Sequence, residues 1–294
     1  MNLCILGFSG SGKTCYLHTA CHVLSRGVNV DNHTFSITCT DRFLQDRLNQ
    51  GVEQLANGQW PEGDLETVTY PFEFNVDGKA MGQFNIYDYR GGALDGHNDD
   101  DQSEANLLFD TFQDSNCIVF LIDGDTMVNA LGPENLAQEH IDRNDPRTRL
   151  QARNSIQYIR TILHECDNRM NGNSPILLCI TKKDIFTDNE LEAGYQLLHN
   201  ELREMFAQNN ERVVGICSVT LGQGLQNIEE NQLIGNLWLN TDGNLHIPIL
   251  FALLQHFDQD NRLGNDRETR KAIYHLFPED RLLLYRNGET AVII

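Results

Sequence analysis

The sequence predicts an α/β domain whose central sheet is mostly parallel and is covered by helices on both faces. Short, wholly apolar segments typical of buried strands alternate with longer segments of helical periodicity. Polar residues bound each apolar segment, as they do at the ends of buried strands. With 294 residues, of which 40% are hydrophobic and 22% charged, the chain is long and apolar enough to form its own core.

The first predicted unit is a strand, a glycine-rich turn and a helix. The strand is Leu3 to Leu6, and Gly27 is placed to end the helix. The helix has apolar residues at positions i, i+3, i+4 and i+7, namely Leu17, Ala20, Cys21 and Leu24.

An extra segment, Thr34 to Gly58, separates this unit from the next strands. It is predicted to hold a short strand and then a helix, because apolar residues recur at spacings of four, four and three in Leu44, Leu48, Val52 and Leu55. The strands Val68 to Val76 and Gln83 to Asp88 follow, and Asp77-Gly78 between them is typical of an antiparallel hairpin. One antiparallel edge strand is therefore expected.

The second half of the chain supplies further strands and two helices. The strands are Cys117 to Ile122, Ile176 to Thr181 and Val213 to Ser218. One helix begins at Asp145-Pro146, a capping residue before a first-turn proline, and the other at the capping box Thr187 to Glu190.

Asn287-Gly288 predicts a second hairpin late in the chain. We expect a domain over 1–257 with a helical insertion at 34–66, and an extension of one helix and one hairpin over 258–294.

The net charge of −20 disfavours nucleic acid and anionic membranes as partners. Without a membrane-length apolar run or a signal segment, a cytoplasmic protein is expected. The eight cysteines are expected to be buried thiols, and the histidines show no zinc spacing.

The strongest motif is a phosphate-binding loop between the first strand and the first helix. Gly7 to Thr14 reads G-x-x-x-x-G-K-T, and the alternative is a chance glycine-rich turn. In such a loop backbone N–H groups surround phosphate oxygens, Lys13 bridges the β and γ phosphates, and the Thr14 hydroxyl binds Mg²⁺. The predicted nucleotide-binding residues here are Gly7, Ser9, Gly10, Ser11, Gly12, Lys13, Thr14 and Cys15.

Three further motifs follow, each at the carboxyl end of a predicted strand. They are Asp88-Tyr-Arg-Gly91, Thr181-Lys-Lys-Asp184 and Cys217-Ser218-Val219. Each alone is also compatible with an ordinary strand end. Ligands of α/β sheets bind outside the carboxyl ends of the strands, and four motifs in this order indicate one nucleotide site.

With these motifs the chain resembles the Ras-like GTPases of the translation-factor-related P-loop class, over roughly residues 1–257. The resemblance implies GTP and GDP as ligands, with Mg²⁺ held by Thr14, Thr67 and Asp88, and Gly91 at the γ-phosphate. It also implies that Asp184 reads guanine, that Lys182 packs over the base beside Thr181, and that Ser218 and Val219 supply the last base contact through their backbone.

The family's switch I threonine immediately precedes the hairpin strand, and Thr67 fits this place best among the threonines after the first helix. Its alternative role is simply to start the strand. With Thr67 the resemblance implies the catalytic residues Lys13, Asp88 and Gly91, and a switch that hydrolyses GTP.

Two groups that usually assist hydrolysis are missing. Gly92 occupies the position of the water-orienting glutamine, and no arginine stands just before Thr67. Slow hydrolysis alone, stimulated by a partner at the switch regions, is therefore expected. Arg90 and His97 stay open as catalytic or solvated residues. A binding module with little hydrolysis and an ATP-using enzyme are the alternatives.

A narrower resemblance is to the bacterial double-GTPase type. It rests on Asp88 to Gly92, on Gly58-x-Trp60-Pro61, and on the inserted helix. It implies a second, related GTPase or a second copy of this chain as partner.

Overall fold

The computed structural model describes residues 1–30, 32–61, 67–89, 112–141, 145–170, 174–206, 212–228, 232–259, 282–286 and 289–290. Its strands are β1 (Asn2–Leu6), β2 (Val28–Val30), β3 (His33–Cys39), β4 (Val68–Val76), β5 (Lys79–Asp88), β6 (Cys117–Ile122), β7 (Ile176–Ile180), β8 (Val214–Ser218), β9 (Gly222–Ile228), β10 (Gln232–Leu237), β11 (Leu282–Arg286) and β12 (Glu289–Thr290). Its helices are α1 (Lys13–Ser25), α2 (Arg42–Ala56), α3 (Gly124–Ala130), α4 (Gln138–Ile141), α5 (Pro146–Arg169), α6 (Asp188–Glu201) and α7 (Ile247–Gln259).

The main sheet has a parallel centre and antiparallel flanks. Its strand order is β12-β11-β8-β7-β6-β1-β5-β4-β3-β2, and the central strands β8, β7, β6, β1 and β5 pair in parallel. Strands β4, β3 and β2 extend one side and β11 and β12 the other, all antiparallel. The predicted α/β class is confirmed, and the antiparallel part is larger than the single edge strand that the sequence predicted.

Helices cover both faces of this sheet. Because side chains alternate along a strand, Leu3 and Ile5 of β1 pack with α1 and α7, while Cys4 and Leu6 pack on the other face with α5 and α6. The central strands are buried on both sides, which is why they are apolar throughout. All eight cysteines are free and buried.

The predicted helix starts are confirmed by their capping contacts. The Asp145 carboxylate accepts the N–H groups of Arg147 and Thr148 at 2.8 and 3.2 Å. Thr187 and Glu190 form the reciprocal capping box. In the described part of the chain no helix is long and apolar enough to cross a membrane.

The inserted segment holds the short strand and the helix that the sequence predicted. They are β3, which pairs with β2 just before the segment, and α2, whose first turn is capped by Asp41 through the N–H of Leu44 at 3.0 Å. Strand β3 pairs with β4, so the insertion extends the main sheet, and α2 packs against α1. The segment therefore lies between the first helix and Thr67 as an integral layer of the fold.

The late hairpin β11–β12 pairs with β8 in the main sheet. It therefore extends the main sheet, with Leu282 opposite Cys217 and Tyr285 opposite Val214. Most of the predicted helix after 257 falls in 260–281, outside the described residues, and the domain boundary at 257 stays a prediction.

Candidate nucleotide-binding site

The glycine-rich loop joins β1 to α1 and has the backbone that its glycines allow. Gly10 and Gly12 have φ angles of 79° and 83°, in the left-handed region that other residues rarely adopt. A Cβ on Gly7 would lie 2.7 Å from the carbonyl oxygen of Leu121, so only glycine fits there. The Lys13 ammonium donates to the carbonyl oxygens of Gly7 and Phe8 at 2.6 and 3.1 Å.

One cavity of about 770 Å³ opens on this loop. Its volume lies in the range of about 300–1,000 Å³ that is usual for small-molecule sites. Most of the predicted site residues line it, namely Ser9, Gly10, Ser11, Gly12, Lys13, Thr14, Cys15, Asp88, Thr181, Lys182, Asp184 and Val219. Four sequence motifs thus meet at one concave site, at the carboxyl ends of β1, β5, β7 and β8.

Asp88 and Thr67 lie at neighbouring positions of the sheet. Asp88 ends β5 opposite Ile5 of β1 and is buried, with 2% of its surface exposed. Thr67 directly precedes Val68, which is the register partner of Asp88. Thr67 does not belong to the described cavity wall, and Gly91, Arg90, Gly92 and His97 lie outside the described residues.

The oxygen donors near the loop suit a magnesium ion. The Thr14 hydroxyl and the Asp88 carboxylate both belong to the cavity wall, and Mg²⁺ prefers hydroxyl, carboxylate, water and phosphate oxygens. No cluster of three or more His, Cys, Asp or Glu side chains suited to a metal occurs within the described ranges. A Mg²⁺ ion here would therefore depend on the phosphates of a bound nucleotide for further ligands.

The residues after β7 are tied to the phosphate loop. The Thr181 hydroxyl, almost fully buried, donates to the carbonyl oxygens of Ser11 and Ile122 at 3.1 and 3.3 Å. A Cβ on Gly124 would overlap the carbonyl oxygen of Thr181, so the start of α3 approaches this strand end as closely as only glycine allows. These contacts fix the Thr181–Asp184 motif relative to the glycine-rich loop.

Lys182 is held by two carboxylates. Its ammonium lies 2.7 Å from Asp123 and 2.6 Å from Asp125, and its backbone is left-handed with φ of 54°. Burial alone lowers the pKa of Lys182, but the two carboxylates outweigh it and raise the pKa above its ordinary value. Lys182 is therefore a fixed cation in the cavity wall.

Asp184 has a protein donor on each carboxylate oxygen. The Thr220 hydroxyl donates to Oδ1 at 2.8 Å, and the backbone N–H of Gly224 donates to Oδ2 at 3.1 Å. Each carboxylate oxygen has two lone pairs, so each keeps one acceptor site for a further N–H group. The predicted guanine contact of Asp184 is compatible with this geometry.

Of the two residues predicted to supply the last, backbone-mediated base contact, Val219 lines the cavity and the Ser218 side chain lies outside its described wall. Ser218 ends β8, is 1% exposed and accepts a hydrogen bond from the Tyr195 hydroxyl at 2.8 Å. It does not line the cavity, whereas Val219, Thr220 and Leu221 do. The strand turns towards the cavity only after its last residue, so Thr220 occupies the place beside Asp184. Gly7 also lies behind the wall, where its carbonyl oxygen holds Lys13.

The hairpin β9–β10 forms part of the cavity wall, which the sequence did not predict. Leu221 and Leu225 line the cavity together with Trp60 and Pro61, which precede Thr67. Trp60, Leu221 and Leu225 also pack against a small apolar cluster of Cys15, Leu55 and Leu233. The hairpin is rich in glycine, glutamine and asparagine. These residues are disfavoured in strands or give no clear strand signal, so the sequence did not predict the hairpin.

No protein-family model and no curated protein matches this chain. Solved structures with similarity to it include the mammalian SRP receptor (12% identity over 75% of this chain and 91% of the other, TM-score 0.39). A second is the SRb-GTP/SRX complex of the signal recognition particle receptor from Chaetomium thermophilum (13% identity, 76% and 92% coverage, TM-score 0.39).

A third similar structure is the S. cerevisiae Ski7 GTPase-like domain bound to GTP (13% identity, 92% of this chain, TM-score 0.39). This chain spans about half of that one, at 52% coverage. No residue role in this chain follows from these low similarities.

Proposed function

We propose that the protein is a GTP-binding molecular switch that hydrolyses GTP to GDP and phosphate with Mg²⁺. The observation that carries the proposal is the meeting of Lys13, Asp88 and Asp184 in one cavity of nucleotide size. A cation and backbone N–H groups suit phosphates, and a carboxylate beside an apolar wall suits the N–H edge of guanine.

Each end of the cavity has a defined role in this proposal. The loop from Ser9 to Cys15 surrounds the phosphates, and Lys13 leaves its carbonyl partners to neutralise the β and γ phosphates. Mg²⁺ would be held by Thr14 and Asp88, joined by Thr67, and would neutralise charge on the phosphates. Thr67 and Gly91 are proposed to order the two switch segments through the γ-phosphate, and hydrolysis releases them.

We further propose slow hydrolysis in the isolated protein, because Gly92 carries no side chain to orient water. A partner, either a second related GTPase as in the bacterial double-GTPase type or a second copy of this chain, would supply the missing group. The segment 41–58 and the loop 92–102 are the surfaces proposed for that contact. The proposed setting is the cytoplasm, with neither membrane nor nucleic acid as a partner.

One observation favours an alternative. Thr220 and Gly224 already engage both carboxylate oxygens of Asp184, and a purely structural aspartate would show the same contacts. In that case the site would not select guanine, and ATP would be an equally good ligand. A binding module with little hydrolysis is the other alternative, and multiple-turnover phosphate release distinguishes it.

Competition between labelled GTP and unlabelled ATP tests the choice of base. We expect GTP to bind with Mg²⁺ and ATP to compete poorly. Asp184→Asn should weaken GTP binding about tenfold to a hundredfold, because a charge-assisted hydrogen bond contributes about 1.5–3 kcal/mol. It should also shift preference towards xanthosine triphosphate. Equal affinity of the unmutated protein for ATP and GTP would refute guanine recognition.

A further inference from the structure

The hairpin β9–β10 contacts two parts of the chain that the proposed function uses, the base-reading Asp184 and the segment that precedes Thr67. At the first of these the N–H of Gly224 in β9 donates to the Asp184 carboxylate at 3.1 Å. At the second the N–H of Leu233 in β10 donates to the carbonyl oxygen of Gly58 at 2.7 Å. Gln232 also forms an antiparallel bridge with Gln59.

The two strands of the hairpin approach each other closely at two glycines. Gly235 in β10 has a φ of 119°, and a Cβ there would lie 2.6 Å from the carbonyl oxygen of Gly224. A Cβ on Gly222 would overlap the carbonyl oxygen of Asn236. These two glycines allow the strands to approach closely, and the approach positions the N–H of Gly224 that faces Asp184.

The hairpin is also anchored in the cavity wall. Leu225 of β9 and Trp60 both line the cavity, and both pack on the apolar cluster that includes Cys15 of α1 and Leu55 of α2. Trp60 lies between Gly58, which β10 holds, and Thr67, which the proposed function places at the γ-phosphate. A displacement of Asp184 by a bound base would therefore be transmitted through Gly224 and Leu233 to the segment that leads to Thr67.

We propose that the β9–β10 hairpin is a positioning element for base recognition, which orients Asp184 and couples the bound base to the segment before switch I. This inference rests on the proposed function. It predicts that disturbing the hairpin lowers discrimination at the base, because the N–H of Gly224 donates to Asp184.

The first test compares GTP with inosine triphosphate (ITP), which lacks the exocyclic amine of guanine. The ratio of the two affinities measures the hydrogen bond to that amine and is insensitive to the phosphates. Gly235→Ala, which would displace the donor Gly224, should reduce the GTP to ITP ratio about tenfold, the equivalent of one charge-assisted hydrogen bond. The matched control is Gly78→Ala, which also has a positive φ, of 74°, but has open space and lies in the β4–β5 turn.

A second variant covers the case in which Gly235→Ala does not fold. The N–H of Trp238 donates to the carbonyl oxygen of Leu221 at 2.7 Å, so the ends of the hairpin are adjacent and an Asn-Gly turn can replace 222–237. This variant should also lose the GTP to ITP preference. An unchanged ratio in every folded hairpin variant overturns the inference alone, whereas no GTP binding by the unmutated protein overturns the proposed function as well.

A third measurement keeps the hairpin intact. Trp60 and Trp238 are the two tryptophans of the chain, so Trp238→Phe leaves Trp60 as the only indole reporter. We expect GTP and ITP to change the emission of Trp60 by different amounts at saturation. Identical changes would show that the base is not coupled to this segment and would overturn the inference.

Discussion

At the scale of single residues, glycines determine how closely the elements around the site approach one another. Gly51 of α2 lies against the ring of His18 in α1, and a Cβ there would overlap the imidazole. Both residues are buried, so the ring has little space to move. Because Gly51 has no methyl group, α2 can approach α1 closely. The position of α2 in turn determines where the segment leading to Thr67 begins.

Gly51→Ala should therefore destabilise the protein by about 1–3 kcal/mol, the usual cost of overpacking a core. The matched control is Gly194→Ala in α6, where the added methyl would lie 3.5 Å from the Met127 methyl group, an ordinary contact. This control should be neutral or more stable by up to about 1 kcal/mol, because alanine favours helix. Urea unfolding of the two variants measures the difference, and equal stability would contradict the close-approach account.

Lys13→Ala should lower GTP affinity by about 100-fold or more, because two charge-assisted contacts to phosphate are lost. Lys183→Ala is the control, since it removes the same charge from a residue outside the described cavity wall. Calorimetric titration with GTP and Mg²⁺ compares both variants. A normal affinity in Lys13→Ala would show that the loop does not bind phosphate.

At the scale of elements, α5 supports the phosphate loop through an aromatic stack. Phe8 of the loop lies between Phe120 of β6 and Tyr158 of α5, with both ring centroids 5.8 Å away. The ring of Tyr158 is stacked on Phe8 at 19°, and that of Phe120 stands edge-on at 69°. A helix that contributes nothing to the described cavity wall thus holds the loop in place.

Tyr158→Ala should weaken GTP binding roughly two- to twelvefold, the equivalent of the 0.5–1.5 kcal/mol that an aromatic pair contributes. Tyr158→Phe keeps the ring and should bind GTP like the unmutated protein. The same calorimetric titration decides between them. If both variants bind GTP equally well, the loop is held without this stack.

A second element contact gives the fold a pH dependence. Burial raises the pKa of Glu190, but hydrogen bonds from His140, Thr187 and Ala137 outweigh it, and the pKa lies below its ordinary value of 4.5. The stabilisation is therefore fully present above pH 4.5 and is lost as the pH falls through the lowered folded-state pKa. These contacts join α4 to the start of α6.

Glu190→Gln should lower the free energy of unfolding by about 1–3 kcal/mol at pH 7, because buried donors lose a charged acceptor. The difference in the free energy of unfolding between variant and unmutated protein should shrink as the pH falls below 4.5. At these pH values Glu190 of the unfolded chain binds a proton, whereas Glu190 of the folded protein does so only at lower pH. Urea unfolding between pH 7 and pH 3 measures this. A difference that stays constant down to pH 3 would contradict the lowered pKa.

At the scale of the whole molecule, the net charge of −20 constrains which second protein could assist the proposed hydrolysis. Two copies of this chain repel each other at low ionic strength, and salt screens the repulsion because the Debye length falls from about 30 Å at 0.01 M to about 8 Å at 0.15 M. Turnover that depends on a second copy should therefore rise with both protein concentration and salt. A basic partner should show the opposite salt dependence.

We accordingly expect phosphate release by the isolated protein at low salt to be slow and proportional to protein concentration. A donated arginine typically accelerates such reactions about 10³- to 10⁵-fold. Fast turnover per molecule at high dilution, lost in Arg90→Ala or His97→Ala, would contradict assistance from outside and indicate an internal residue.

The sequence predicted the parts of the fold that depend on local pattern. Local signals predicted the apolar runs of β1, β6, β7 and β8 and the capping residues of α5 and α6. The positions of the motifs followed from the predicted ends of the strands. The pairing of β11 with β8 could not be predicted, because no local pattern states which distant edge a strand joins. The hydrogen bond from Thr220 to Asp184 could not be predicted either, because periodicity does not describe how the chain turns beyond the end of β8.

Strand β8 also has a consequence for synthesis. Its outer edge is paired by residues 282–286, some 65 positions further along, since Leu282 lies opposite Cys217. Until a ribosome has released these residues, β8 presents unpaired N–H and C=O groups beside a buried apolar strand, a template for pairing with another nascent chain. Chains stopped before residue 282 should therefore accumulate as aggregates, even though they contain every residue of the described cavity wall.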